Sequence, residues 1–118
     1  MANSNFYTKA VTIADGQTVS DAILLSDTYG QSVESLVAVV TAAGFTTADL
    51  TFQFSLDGTT YIAAKNAAGT AITLSSVAAS DWRAVDPTDF LSAKYLKVVA
   101  SASQSSGDTI TLVIRGVG

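Results

Sequence analysis

The sequence predicts an all-β fold: an antiparallel, jelly-roll-like β-sandwich of about eight or nine strands, with residues 1–118 forming one domain. Three observations point there. Apolar and polar residues alternate with a period of two, the signature of a strand with one face on a core. Turn-forming residues recur about every 10 to 14 positions. The segments between them are rich in β-branched side chains, as at Val37, Val39, Val40, Thr41, Val98 and Val99.

The clearest element is Leu50-Thr51-Phe52-Gln53-Phe54-Ser55-Leu56, where Leu50, Phe52, Phe54 and Leu56 are expected on the core face. Asp57-Gly58-Thr59-Thr60 then turns the chain, Gly58 being free to take a positive φ, and Tyr61-Ile62-Ala63 begins the return strand of a hairpin. The same reading places strands near 6–13, 18–25, 33–41, 50–56, 60–64, 71–75, 82–85, 95–101 and 109–115. Their separators are Asp15-Gly16, Asp27 to Gly30, Ala43-Gly44, Asn66 to Gly69, Asp86-Pro87-Thr88-Asp89 and Ser105 to Asp108. Helix is confined to single turns, at Thr47-Ala48-Asp49 and at Pro87 to Leu91. The alternating run Thr109 to Arg115 reads as a closing strand tied into a sheet.

Composition narrows the function. Only 14% of residues are charged, against about 25% in an average soluble domain, while Ser and Thr make up about a quarter of the chain. A surface of small and hydroxyl side chains is cheap to desolvate and suits packing against another protein. The net charge of −4 and the scattering of Lys9, Lys65, Arg83, Lys94, Lys97 and Arg115 argue against nucleic acid as a partner, since phosphate contacts need clustered cations. No apolar run is long enough for a membrane-spanning helix, so no membrane partner is expected. Met1 to Phe6 has neither the basic nor the apolar region of a signal peptide, so the protein is expected to act where it is made or to leave within a larger assembly.

There is no cysteine and no histidine. That removes disulfides, thiolate metal sites, the commonest general base and every Ser-His-Asp or Cys-His arrangement. Ser92 and Lys94 are a formal Ser-Lys pair in what reads as a solvated loop. Glu34 is the only Glu, and nearly every Asp stands in a turn, where its carboxylate binds local amides, so a facing carboxylate pair is not expected. Asp81, Asp86 and Asp89 form the densest acidic group, with Asp15 and Asp21 a weaker one. Neither has the spacing of a calcium loop. The expectation is no enzyme activity, no cofactor and no metal.

Aromatic side chains are then the candidate contacts. Phe52, Phe54 and Tyr61 fall in strands and are expected in the core. Tyr29, Phe45, Trp82 and Phe90 fall in or beside loops, and Trp82 stands next to Arg83 among aspartates. Tyr29, Phe45, Trp82, Arg83 and Phe90 are therefore the interaction candidates, although a loop aromatic also serves to plug the end of a sandwich.

Residues Ala48 to Tyr61 resemble a pattern found in small structural proteins of tailed bacteriophages, "LTFQxSxDGxTY" followed by "AxGTxI.L", here Ala68-Gly69-Thr70-Ala71-Ile72-Thr73-Leu74. An acidic "DPxDF" (Asp86 to Phe90), the strand Tyr95-Leu96-Lys97-Val98 and a closing Thr111 to Val117 follow in order, so that the resemblance spans roughly residues 36–118. Family members often carry Trp in the loop before the first of these strands, where this chain has Phe45. The resemblance implies a virion structural protein of cement or decoration type, assembled in the bacterial host cytoplasm. Its expected partners are the major capsid protein or other virion proteins and its own copies as a homo-oligomer. A carbohydrate-binding module and a tail-associated structural protein are the alternatives.

Overall fold

Cross-strand pairing converts the alternating pattern into two layers. The computed structural model describes residues 6–25, 34–104 and 108–116. Among them lie nine strands: β1 (Phe6–Ile13), β2 (Ile23–Leu24), β3 (Glu34–Thr41), β4 (Ala48–Ser55), β5 (Ile62–Ala63), β6 (Leu74–Val77), β7 (Trp82–Ala84), β8 (Tyr95–Ala100) and β9 (Asp108–Gly116). A 3-10 helix at Pro87–Phe90 precedes β8. One sheet has the order β1-β9-β3-β7 and the other β2-β8-β4-β5, with β6 also pairing β4. Every pairing is antiparallel. The protein is an all-β sandwich whose sheet neighbours are mostly distant in sequence.

Directly opposed residues share a face. In β4, Leu50, Phe52 and Phe54 oppose Ala100, Val98 and Leu96 of β8, which builds the inner wall of the five-stranded sheet. Thr51, Gln53 and Ser55 oppose Val99, Lys97 and Tyr95 on the outer face. In the four-stranded sheet the inner wall is Val11 and Ile13 of β1, Ile110, Leu112 and Ile114 of β9, and Leu36 and Val39 of β3, all in one core cluster with Leu50, Phe52, Leu96 and Val98. Strict alternation would put Leu36, Ala38 and Val40 on one face. A register shift between Leu36 and Ala38 against β9 reverses the face within β3, so that Leu36, Val39 and Thr41 all point inward.

The segment expected as a strand over 18–25 pairs regularly only at Ile23–Leu24. Elsewhere a few backbone bonds (Ser20 N to Val98 O, Asp21 N to Thr12 O, Ala100 N to Thr18 O) are joined by side-chain ones: Asp21 Oδ1 accepts the Thr12 amide at 2.8 Å, and Ser20 Oγ accepts the Val98 amide at 2.9 Å. Residues 18–22 thus cross from the edge of one sheet to the other, with isolated bridges Ile13–Ser20 and Val19–Val99. The return strand of the hairpin shrinks to β5, and the strand expected over 71–75 appears as β6, where Ser76 has φ 53° and donates its amide to Asp49 Oδ1. No helical turn forms at 47–49, because Ala48 and Asp49 belong to β4. The turn expected at 27–30, and residues 105–107 of the turn expected at 105–108, lie outside the described residues, and Asp108 opens β9.

Two cations close the sides of the sandwich. Lys9 on β1 opposes buried Leu112, so its side chain starts on the inner face; its Nζ reaches across to donate to Leu24 O at 2.6 Å. Arg83 on β7 opposes buried Val39, and its Nη1 donates to Ser75 O at 2.8 Å. Each edge strand of the four-stranded sheet therefore carries one cation directed at the opposite layer.

Candidate functional site

The five interaction candidates separate. Phe45 is 4% exposed and Phe90 is fully buried, so neither presents a surface to a partner. Both plug the ends of the sandwich. Phe90 is fixed by the 3-10 turn, which Asp86 caps by accepting the Thr88 amide, and it packs edge-on against Phe52 at 4.9 Å and tilted against Phe54 at 5.6 Å. Tyr29 lies outside the described residues. Trp82 is 62% exposed: its partner across the ladder is Val40, on the outer face of an edge strand, and nothing covers that position from above within the core cluster. Arg83, one residue on, turns inward instead and sits 3.7 Å from Asp81 while it bonds Ser75 O.

Among the described residues the most exposed large apolar side chains are Leu56 and Ile62, at 77% and 70%, ahead of Trp82. They stand side by side at the hairpin. Pairing of β4 with β8 stops at Ser55–Tyr95, so Leu56 lies one residue beyond the last cross-strand partner and projects past the core that its alternation predicts for it. Ile62 opposes Phe54 on the inner face, but at the edge of the five-stranded sheet, where no strand of the other layer covers it. Together with Phe54, Ala63, Ala64 and Ser92 they form an open cleft of about 640 Å³, rimmed by Asp57, Thr60 and Lys65. A second cavity shares Lys65 and Ser92 with it and adds Asp89. Sequence alternation alone hides this site; the signal that reveals it is the position of Leu56 directly before Asp57-Gly58.

The hairpin that carries the cleft is held by one carboxylate. Asp57 Oδ1 accepts the amides of Thr59 at 2.8 Å and Thr60 at 2.9 Å, and the Ser55 hydroxyl at 3.0 Å. Those bonds, the Thr60 amide first, lower its pKa from the ordinary 3.8. Gly58 has φ 80°, and a Cβ there would meet the Tyr95 ring at 3.3 Å. Tyr61 is half-buried on the outer face rather than in the core, with Lys97 Nζ 4.3 Å from its ring centre. Desolvation first, then the nearby Tyr95 and Asp57, raise its phenol above 10.0.

Ser92 and Lys94 are both exposed, and the Lys94 ammonium lies 5.8 Å from the Tyr95 ring. Asp86 is engaged by the Thr88 amide and hydroxyl, Asp81 by the amides of Ala78 and Trp82 and by Arg83. Among the described residues no three acidic side chains gather where a metal ion would need them. No helix of the described residues is long and apolar enough to cross a membrane.

No family model matches the chain, and no curated protein does. Solved structures are similar to it at low identity. The SPBc2 prophage-derived protein YomS superposes with a TM-score of 0.50 at 13% identity, over 99% of this chain and 99% of its own. A carbohydrate-binding module, CBM32-3 of a family 31 glycoside hydrolase from Clostridium perfringens, gives 0.47 at 14% identity, over 96% and 76%. A putative α-L-fucosidase from Bacteroides thetaiotaomicron gives 0.49 at 12% identity, over 92% of this chain and 22% of the enzyme.

Proposed function

We propose that the chain is a non-catalytic structural protein of a tailed-phage virion, of the cement or decoration type, which binds neighbouring capsid subunits and its own copies. The observation that carries this reading is the exposure of Trp82, Leu56 and Ile62, the last two lining one open cleft, on an exterior with few charges. Covering these side chains with another protein would remove apolar area from water. The phage setting is supported by the hairpin motif of residues 48–61 and by a fold shared end to end with a prophage-derived protein. A cement protein acts by adding buried area at the joints between shell subunits. Each contact is modest, and repetition over the lattice supplies the strength.

The test is direct. Purified chain is mixed with expanded capsids that lack it, and the capsids are pelleted and heated. Co-sedimentation at a fixed ratio, with shells that rupture at a higher temperature, is the expected result. Absence from both the pellet and purified particles, the latter by mass spectrometry, overturns the proposal.

A carbohydrate-binding module is the second reading, favoured by the exposed indole of Trp82, since stacking on a sugar ring needs an accessible aromatic face. As the only Trp in the chain, it would report glycan binding by a change in fluorescence. A glycan array without a hit removes this reading. A tail location is separated from a head location by the same mass spectrometry on isolated heads and tails.

A further inference from the structure

We infer that Asp21 guards the β1 edge: it occupies, from within the same chain, backbone positions that the β1 strand of a second copy would take. The inference goes beyond the function proposed above and does not depend on a capsid partner.

The edge itself sets the hazard. β1 is eight residues long and ends the four-stranded sheet, so one side of its backbone has no strand of that sheet beside it. Two bonds show which residues face that side. The Thr12 amide donates to Asp21 Oδ1 at 2.8 Å, and the Thr12 carbonyl accepts from the Asp21 amide at 3.2 Å. Both groups of Thr12 therefore point away from β9, and with a period of two so do those of Ala10 and Thr8. Thr8, Ala10 and Thr12 are exposed. An antiparallel edge is complementary to a copy of itself, because a two-fold axis sets the same donors and acceptors face to face.

Asp21 meets this hazard by imitating a strand. In a hydrogen-bonded antiparallel pair, two residues exchange both of their N–H···O bonds. Asp21 gives Thr12 both bonds, one through its backbone amide and one through its carboxylate. The Ile13–Ser20 bridge holds the crossing segment one step further along, and Ser20 Oγ ties it to β8 by accepting the Val98 amide at 2.9 Å. An incoming strand must displace this segment to run past Ala10. The stretch left open, Phe6 to Ala10, has Lys9 within it, directed inward with its Nζ on Leu24 O.

The opposite edge of the sheet repeats the arrangement. The Thr41 amide donates to Asp81 O, which leaves the backbone of Trp82 facing away from β3, and the Trp82 amide donates to Asp81 Oδ1 at 3.0 Å. Each end strand thus has an outward amide held by an aspartate carboxylate beside an inward cation, Lys9 or Arg83. An amide already engaged is not available to another chain.

Amide hydrogen exchange and sedimentation velocity on the full chain test the guard. In the wild type the Thr12 amide should exchange slowly, and those of Thr8 and Ala10 fast, at every concentration. Asp21→Ala should self-associate about tenfold more tightly than the wild type, the worth of roughly one freed hydrogen bond. The Thr8 and Ala10 amides of that variant should slow as its concentration rises. Asp21→Asn keeps the Oδ1 acceptor and should behave as the wild type. Ala10→Pro added to Asp21→Ala deletes an outward amide that β9 does not use, and should return association to the wild-type level. A wild type whose Thr12 amide exchanges as fast as that of Ala10 overturns the inference, even where Asp21→Ala fails to fold. So does an Asp21→Ala protein that associates no more tightly than the wild type, or whose added association survives Ala10→Pro. Shell co-sedimentation is read separately, so a failure of capsid binding is told apart from a failure of the guard.

Discussion

Gln104→Leu should destabilise the fold by about 2 kcal/mol, although it exchanges one buried side chain for another of similar size. Gln104 is 1% exposed, and its amide is fully used. Oε1 accepts the Thr46 amide at 2.8 Å; Nε2 donates to Thr46 O and to Ala102 O, each at 3.1 Å. Its backbone continues the clamp, accepting from Gly16 N at 2.6 Å and donating to Gln17 O at 2.9 Å. Three loops are thereby joined at one end of the sandwich. Leucine keeps the backbone bonds and deletes the three made by the side chain. At about 1 kcal/mol each, that loss is roughly 3 kcal/mol, and the added apolar burial returns about 1 kcal/mol. Denaturant unfolding followed by circular dichroism should show a lower midpoint at unchanged slope, and the melting temperature should fall by about 10 °C. A Gln104→Leu protein as stable as the wild type within about 0.5 kcal/mol would refute the reasoning. Gln104→Glu separates the amide from simple packing. It keeps the acceptor for Thr46 N but sets an oxygen against two carbonyls, so it should be worse than leucine at neutral pH. Burial and those carbonyls raise the folded-state pKa of the new carboxyl above its unfolded value. The stability is therefore present in acid and lost as the pH rises through the folded-state pKa, the reverse of an ordinary paired carboxylate.

Phe90→Ala should cost about 3–5 kcal/mol, because a fully buried ring packed on Phe52 and Phe54 leaves a cavity at the end of the sandwich; the same unfolding assay reads it. Asp57 should titrate below 3.8 by NMR, with the Thr59 and Thr60 amide shifts following it. Its folded-state pKa is lowered, so the turn's contribution holds above the unfolded value and is lost as the pH falls through the folded one; Asp57→Asn should remove that dependence. Gly58→Ala should cost roughly 1–2 kcal/mol from its left-handed φ of 80° together with the Tyr95 contact, and Gly58→Asn less, since Asn tolerates that region.

How far the sequence was legible depended on the distance between the partners that decide each element. The 50–62 hairpin is local: alternation and Asp57-Gly58 specify it without reference to the rest of the chain. The strands near 6–13, 95–101 and 109–115 emerge within a residue or so because their own alternation is long. The bulge in β3 is invisible in sequence, since it exists only against β9, 70 or more positions away. The 18–25 segment misled because it crosses between the two sheets, bonding β1 and β8 in turn instead of pairing along one neighbour. Phe45 and Phe90 have loop surroundings in sequence, and only the closing of the two ends over them makes them core. Leu56 is the converse case, a core-patterned residue that outruns its partner strand. Gln104 carried no signal at all, because its value comes from loops that meet only in the folded chain.

The two inward cations bear on where a partner can attach. An eight-residue edge strand such as β1 is ordinarily a template for pairing with another chain, and an inward-directed charge on an edge strand is one of the devices that prevents it. Lys9 and Arg83 occupy that position on the two edges of the four-stranded sheet, each anchored to a carbonyl of the opposite layer. A foreign strand docking on either edge would have to accommodate a cation tethered across the seam. The same edges therefore discourage sheet-to-sheet pairing while the ends stay open: Trp82 at one, Leu56 and Ile62 at the other.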